Sequence, residues 1–181
     1  MISPDNSVLL IIDVQEKFRP VMFNIEALLA NIPKLAKTFR LLEIPILVTE
    51  QYPKGLGETM SEIKGVLEDN DYVDKTCFDC FGKSEFADLL QKKYPDRKNL
   101  IVCGLETHVC IAQTVMSALE RDYTVHLVAD ALSSRKKTDY HIALERLASD
   151  GAKIASTEMV IFQLLKDSKH EHFKAISQIV R

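Results

Sequence analysis

Leu100-Ile101-Val102-Cys103-Gly104-Leu105-Glu106-Thr107-His108-Val109-Cys110 carries two patterns back to back. An apolar run from Asn99 to Cys103 reads as a buried strand and breaks at Gly104. Thr107 is a capping-type residue that precedes a helix-spaced pattern running to Arg121, which places Cys110 in the first turn of a helix. Backbone N–H groups and the positive end of the helix dipole gather at such a position. Both stabilise a thiolate, and the same N–H groups can receive an oxyanion. Strand, tight turn and helix with a reactive residue at the junction is one unit of a parallel α/β fold.

The same alternation extends in both directions. Runs rich in Val, Ile and Leu at Val8–Asp13, Pro45–Thr49, Val125–Asp130 and Lys153–Ala155 read as further strands, with a short one at Tyr72–Lys75. Most lack polar alternation, as expected when both faces of a sheet are covered. Helix-spaced segments lie between them at Ile25–Leu42, Ser84–Lys93 and Thr138–Ser149, and Thr157–Lys166 and His170–Ile179 close the chain. This order predicts a three-layer α/β/α sandwich with right-handed crossovers. Glu50–Phe81 breaks the rhythm with Pro53, Gly55, Gly57 and an acidic patch, Glu68-Asp69-Asn70-Asp71, and reads as a long site-forming loop.

At 181 residues and 46% hydrophobic content, residues 1–181 fit one domain with a sizeable core. A net charge of -3, with basic residues scattered apart from Arg135-Lys136-Lys137, gives no electrostatic drive toward nucleic acid or an anionic membrane. No apolar stretch approaches the ~20 residues of a membrane span, and Met1–Asn6 is polar and turn-like rather than a signal peptide. Four cysteines in such a chain point to free thiols and a reducing compartment, with the cytosol as default.

In an open parallel sheet, ligands bind beyond the carboxyl ends of the strands, where the strand order reverses. Asp13 closes the first strand, Lys75 closes the short strand after the long loop, and Cys110 follows the Asn99–Cys103 strand. If the strands bearing Asp13 and Cys110 are neighbours, the two residues face each other across one crevice. Asp13 would then accept the Cys110 proton, and Lys75 would supply positive charge to the thiolate and the carboxylate. Taken singly, each residue has a plainer reading: a turn aspartate, a surface lysine, a small buried cysteine. Their joint placement is what points to chemistry.

Three motifs in order resemble the isochorismatase-like cysteine hydrolases. Asp13-Val14-Gln15-Glu16-Lys17-Phe18 resembles the family opening, Lys75 within Asp74-Lys75-Thr76-Cys77-Phe78 resembles its lysine segment, and Gly104–Cys110 resembles its Gly-x-x-Thr-x-x-Cys turn. Val128–Arg135 resembles the next strand and loop, so the likeness runs from about Val8 to Leu165. It is closest to the isochorismatase domain-containing subgroup, through Thr49–Gly57 and Lys75–Phe78. The resemblance implies a six-stranded parallel sheet and an Asp13–Lys75–Cys110 triad. It further implies a non-proline cis peptide at Leu105–Glu106 and an oxyanion hole from the Glu106 and Cys110 N–H groups. A dimer or tetramer is implied as well. Where nicotinamidases of the superfamily carry metal ligands, this chain has Glu50-Gln51-Tyr52 with no histidine nearby, so no metal and no cofactor are expected. A cysteine at position 110 favours C–N hydrolysis of a small amide over cleavage of isochorismate. A catalytically silent interaction module on the same fold is the alternative. A nucleotide-binding reading is set aside, because no G-x-G-x-x-G follows the first strand.

Gln15, Phe18, Gln51, Tyr52 and Phe78 lie just past strand ends and are the expected substrate-pocket lining, with core packing the competing reading for Phe18 and Phe78. Cys77-Phe78-Asp79-Cys80 has redox spacing but no second ligand pair for zinc. His126 reads as a core residue inside a strand, and His108 as pointing away from Cys110 toward a structural or subunit contact.

Overall fold

The computed structural model describes residues 1–67 and 70–181, so Glu68 and Asp69 of the acidic patch lie outside the described residues. Six strands, β1 (Ser7–Ile12), β2 (Ile46–Gln51), β3 (Asp71–Lys75), β4 (Asn99–Gly104), β5 (Thr124–Leu132) and β6 (Lys153–Ala155), form one all-parallel sheet in the order 3-2-1-4-5-6. The order reverses between β1 and β4, so the first strand and the Asn99–Cys103 strand are neighbours at the switch point.

Side chains alternate between two apolar layers. Leu9 and Ile11 of β1 and Ile101 and Cys103 of β4 join one layer, whereas Val8, Leu10 and Ile12 of β1 and Leu100 and Val102 of β4 join the other. Period-two alternation with both faces buried explains why these strands read as unbroken apolar runs. Helices α1 (Ile25–Leu41), α7 (Thr157–Leu165) and α8 (Phe173–Val180) cover the first layer. Helices α4 (Ser84–Asp88), α5 (Ala112–Leu119) and α6 (Lys137–Ser149) cover the second.

The long loop holds more structure than its composition predicts. Two short helices, α2 (Pro53–Leu56) and α3 (Ser61–Lys64), sit within it, and Met60 and Ile63 are fully buried against the α1 layer. Four-residue helices give too short a period to be recognised from spacing. Helix α4 continues as a wider π-type turn over Leu89–Lys93, within the single helix expected at Ser84–Lys93. Among the described residues, no helix is long and apolar enough to cross a membrane.

Candidate active site

The β1–β4 junction depends on a missing side chain. Gly104 is paired with Ile12 and has φ +120°, and a Cβ placed there would lie 2.1 Å from the Ile12 carbonyl oxygen. Only glycine combines that backbone angle with that approach. The following residue, Leu105, donates its N–H to the same Ile12 oxygen at 2.8 Å, which ties the turn after β4 to the end of β1. The Leu105–Glu106 peptide is cis.

Asp13 leaves β1 in the left-handed region with φ 53°, and its N–H donates to Thr49 O. Its carboxylate is 1% exposed and uses both oxygens. Thr49 Oγ1 donates to Oδ1 at 2.7 Å, and Lys75 Nζ donates to Oδ2 at 2.6 Å. Parallel pairing sets this up, because Ile12 lies opposite Thr49 and Gln51 opposite Lys75. Lys75 Nζ also donates to Gln51 Oε1 at 2.7 Å and to the carbonyls of Cys77 and Phe78 at 3.2 and 3.4 Å. Burial works against the Lys75 charge, but the Asp13 carboxylate and smaller contributions from Cys80 and Cys110 together outweigh it and hold the ammonium above its ordinary value.

Cys110 is 6% exposed, and its thiol lies close enough to Asp13 and Lys75 to feel both charges. Burial raises its pKa first and the Asp13 charge raises it further, against a smaller pull downward from Lys75. The thiol is thereby held well above the usual range, and the resting site pairs a protonated cysteine with a charged carboxylate and ammonium. A thiol of this kind needs a base to lose its proton, the role that the sequence assigns to Asp13. The helix start differs from the one expected. Thr107 does not cap its own helix: its N–H and its Oγ1 both donate to Ser133 O, at 2.8 Å each. The chain instead forms a π-type turn over Thr107–Ile111, closed by Ile111 N–H to Glu106 O, before α5 begins.

Residues 7–159 match the isochorismatase domain. The chain belongs to the isochorismatase family. The isochorismatase domain-containing protein 2 of Danio rerio is 42% identical over 181 residues, covering 99% of this chain and 89% of that protein. A solved structure described as the MAR1 ribonuclease of Caenorhabditis elegans has a TM-score of 0.93 and 38% identity, covering 99% of this chain and 91% of that one. The Escherichia coli YcaC protein, described as an octameric hydrolase of unknown specificity, has the same fold at a TM-score of 0.91 and 21% identity, covering 98% of this chain and 88% of that one. This isochorismatase-family chain thus has the hydrolase fold of its neighbours.

The expected pocket residues separate into two groups. Gln15 is fully buried; its Nε2 donates to the carbonyls of Gln51 and Gly57 at 3.0 and 2.7 Å, and its Oε1 accepts from Gln51 N–H at 2.7 Å. With those polar atoms engaged, Gln15 straps β2 and the long loop to β1 instead of lining a pocket. Phe18 packs half-buried against the α1 layer. Gln51 orients Lys75 through Oε1 and anchors itself through Nε2 to Thr76 O at 2.7 Å. Tyr52 and Phe78 are about half exposed, and Tyr52 shares with Lys75 and Cys77 the rim of a groove of about 440 Å³. At the position of the nicotinamidase metal segment, Glu50 Oε1 accepts from Thr59 N–H and Oγ1, so this carboxylate pins the loop.

Thr49 is not singled out as a site residue in the sequence, whereas Cys77, Cys80, Glu106 and His108 are singled out there without their partners. Thr49 holds the catalytic-candidate carboxylate, and only the β1–β2 register reveals it. Cys80 is buried near the triad: its N–H donates to Thr114 Oγ1 at 3.0 Å, and burial pushes its thiol up to about 12. Cys77 and Cys80 are both free thiols. The carboxylate of Glu106, directly after the cis peptide, is paired to Arg135 Nε at 2.8 Å. His108 Nδ1 lies 3.0 Å from Ser134 Oγ, a structural contact.

Proposed function

We propose that the chain is a cysteine hydrolase that cleaves the C–N bond of a small amide through a thioester. The observation that carries this reading is the Asp13–Lys75 ion pair, 2.6 Å long, buried beside the Cys110 thiol at the one point where the strand order reverses. Substrate entering the crevice excludes the remaining water and presents a carbonyl carbon to Cys110. Asp13 takes the Sγ proton, and Lys75 supports the emerging thiolate. The thiolate attacks the carbonyl carbon while the Glu106 and Cys110 N–H groups receive the oxyanion. Asp13 returns the proton to the amide nitrogen, the C–N bond breaks and the amine leaves. Asp13 then deprotonates water, which attacks the thioester; the acid departs and Cys110 regains its proton.

The raised Cys110 pKa supports this order of events, because a thiol that stays protonated at rest needs a base in direct contact. Tyr52 and Phe78 form the substrate rim in this reading. No metal or cofactor takes part. A small molecule suits the site, since the reactive groups are almost wholly buried and the net charge of -3 offers no polyanion track. The protein acts as a homo-oligomer, as the octameric neighbour suggests, and in the cytosol, consistent with four free cysteines.

The test is a panel of small amides with an oligoribonucleotide included, read by intact-protein mass spectrometry and by amine release. The expected result is an acyl adduct on wild type that is absent from Cys110→Ala, with release of amine. RNA cleavage with no amide turnover, or a correctly folded protein that forms no adduct with any amide, would overturn the reading; the latter leaves an interaction module.

A further inference from the structure

The Lys75 ammonium has more acceptors around it than protons to give. Asp13 Oδ2 and Gln51 Oε1 lie at 2.6 and 2.7 Å, which leaves the last N–H to be shared by the carbonyls of Cys77 and Phe78 at 3.2 and 3.4 Å. Those carbonyls belong to the segment between β3 and a 3-10 turn at Cys80–Gly82, outside any strand or helix. The segment is fastened at both ends. On the strand side, Gln51 Nε2 donates to Thr76 O at 2.7 Å. On the far side it is fastened to α5: Thr114 Oγ1 accepts from Cys80 N–H at 3.0 Å, and Ser117 Oγ donates to Asp79 Oδ2 at 2.7 Å.

Helix α5 thus reaches the site twice. Cys110 lies in the turn that leads into it, and Thr114 and Ser117 follow at spacings of four and three, the repeat of one helix face. Thr114 is 1% exposed and Cys80 fully buried, so the bond between them is sealed from water, and an orphaned Cys80 N–H has no replacement partner there. The Cys80 thiol also lies 3.9 Å from Thr49 Oγ1, the hydroxyl that holds Asp13, so the loop end is seated against both halves of the site.

We propose that Thr114 is a positioning residue: its hydroxyl holds the Cys77–Cys80 loop on the nucleophile helix and so, through the Cys77 and Phe78 carbonyls, fixes the Lys75 ammonium relative to the Cys110 thiol. Ser117 does the same through the half-buried Asp79. The proposal rests on Asp13, Lys75 and Cys110 forming one reactive site, not on the amide as substrate. The sign of the effect separates positioning from stability alone. Burial and Asp13 push the Cys110 thiol up, and Lys75 pulls it down. A displaced ammonium pulls less, so less thiolate forms at a given pH. A site that merely loosened would admit water, relieve the burial and form more.

The experiment is alkylation of Cys110 by iodoacetamide in the full chain, at pH values on either side of the ordinary thiol pKa of ~8.5, read by peptide mapping with urea unfolding alongside. Thr114→Val keeps the shape and removes the acceptor, and should react about three- to tenfold more slowly than wild type, the effect of roughly half to one pKa unit. Thr114→Ser should recover the wild-type rate, and Ser117→Ala should slow the reaction by a smaller factor. In a Lys75→Met background, Thr114→Val should slow it no further. A rate equal to or faster than wild type for Thr114→Val, no recovery in Thr114→Ser, or an undiminished effect in Lys75→Met would overturn the proposal. If Thr114→Val fails to fold, Ser117→Ala alone and with Lys75→Met decides by the same criteria. Amide turnover on the same proteins keeps the two readings apart. Slowed alkylation without turnover of any amide removes the amidase and supports the positioning role, whereas turnover with unchanged alkylation does the reverse.

Discussion

Replacing Asp13 by asparagine, in a Cys110→Ala background so that no thiolate can take over its role, should destabilise the fold in a way that weakens as pH rises. The Lys75 and Asp13 side chains are 0% and 1% exposed, and their 2.6 Å contact is shielded from solvent and salt. Removing one member of such a pair leaves an uncompensated buried charge, at a cost of about 3–5 kcal/mol. For a chain of this length that corresponds to a fall in Tm of roughly 6–20 °C. In the intact pair Asp13 holds the Lys75 pKa up, so its contribution is complete below the unfolded lysine value near ~10.4 and is lost only as pH climbs through the raised folded value. In Asp13→Asn, burial acts unopposed and pushes the folded Lys75 pKa below ~10.4. The unfolded state then binds more protons than the folded one over that interval, and stability rises with pH. Urea unfolding followed by circular dichroism across pH 6–9.5 measures both effects (a range spanning the approach to the unfolded lysine pKa of ~10.4). Adding Lys75→Met should recover part of the loss, giving a non-additive cycle. A cost below about 1 kcal/mol at neutral pH, the level of an exposed pair, would refute the reasoning. So would a flat pH dependence.

Four other outcomes follow from the same geometry. Alkylation of Cys110 by iodoacetamide should be slow at neutral pH and rise only above the usual thiol range; Asp13→Asn should accelerate it and Lys75→Met slow it, each by about tenfold per pKa unit moved, as peptide mapping would show. Gly104→Ala forces a Cβ to within 2.1 Å of Ile12 O at a left-handed angle, and should cost about 3 kcal/mol or more in urea unfolding, or prevent folding. Thr49→Val removes a hydrogen bond to a buried carboxylate and should cost about 1.5–3 kcal/mol, with amide turnover falling alongside. His126, whose pKa burial pushes down to about 4, should show an NMR titration midpoint near that value; the stability it contributes as a neutral ring is present above ~6.5 and is lost as pH falls toward 4.

The sheet was legible because burying both faces leaves a signature in single strands. Asn99–Cys103 and Lys153–Ala155 were placed within a residue of the observed ends, and the Gly104 break marked a turn that the backbone requires. The meeting of Asp13 and Lys75 was legible because both close strands, at the end of the sheet where this fold collects ligand-binding groups. Features that depend on register were not. Gln15 belongs to the same opening motif as Asp13, yet its amide is consumed by Gln51, 36 residues away, and by Gly57, 42 residues away. Composition cannot distinguish a polar residue facing substrate from one that straps two loops. Thr107 shows the converse: its type fits a helix cap, but Ser133 O, brought in by β5, outcompetes the local N–H groups. How far the thiol is held protonated was not legible either, for a related reason. A helix end and a lysine lower a cysteine pKa where water remains, whereas here burial and the adjacent carboxylate dominate.

That electrostatic balance says how the proposed chemistry would be controlled. One carboxylate serves two neighbours in opposite senses: it keeps Lys75 charged and keeps Cys110 protonated. Moving the thiol proton onto Asp13 reverses both effects at once, since the neutral acid no longer offsets the ammonium and the new thiolate does. The number of buried charges is unchanged, one negative and one positive, and only the site of the negative charge moves. Such a transfer is unfavourable at rest because Asp13 has Thr49 and Lys75 as donors, while Cys110 has no comparable pair. It becomes favourable when the thiolate can discharge into a carbonyl whose oxygen meets backbone N–H groups, which couples activation of the nucleophile to the presence of substrate. A site built this way spares its cysteine from adventitious alkylation and oxidation between turnovers, and it predicts that saturating a bound carbonyl compound, rather than raising pH alone, is what brings the thiolate into being.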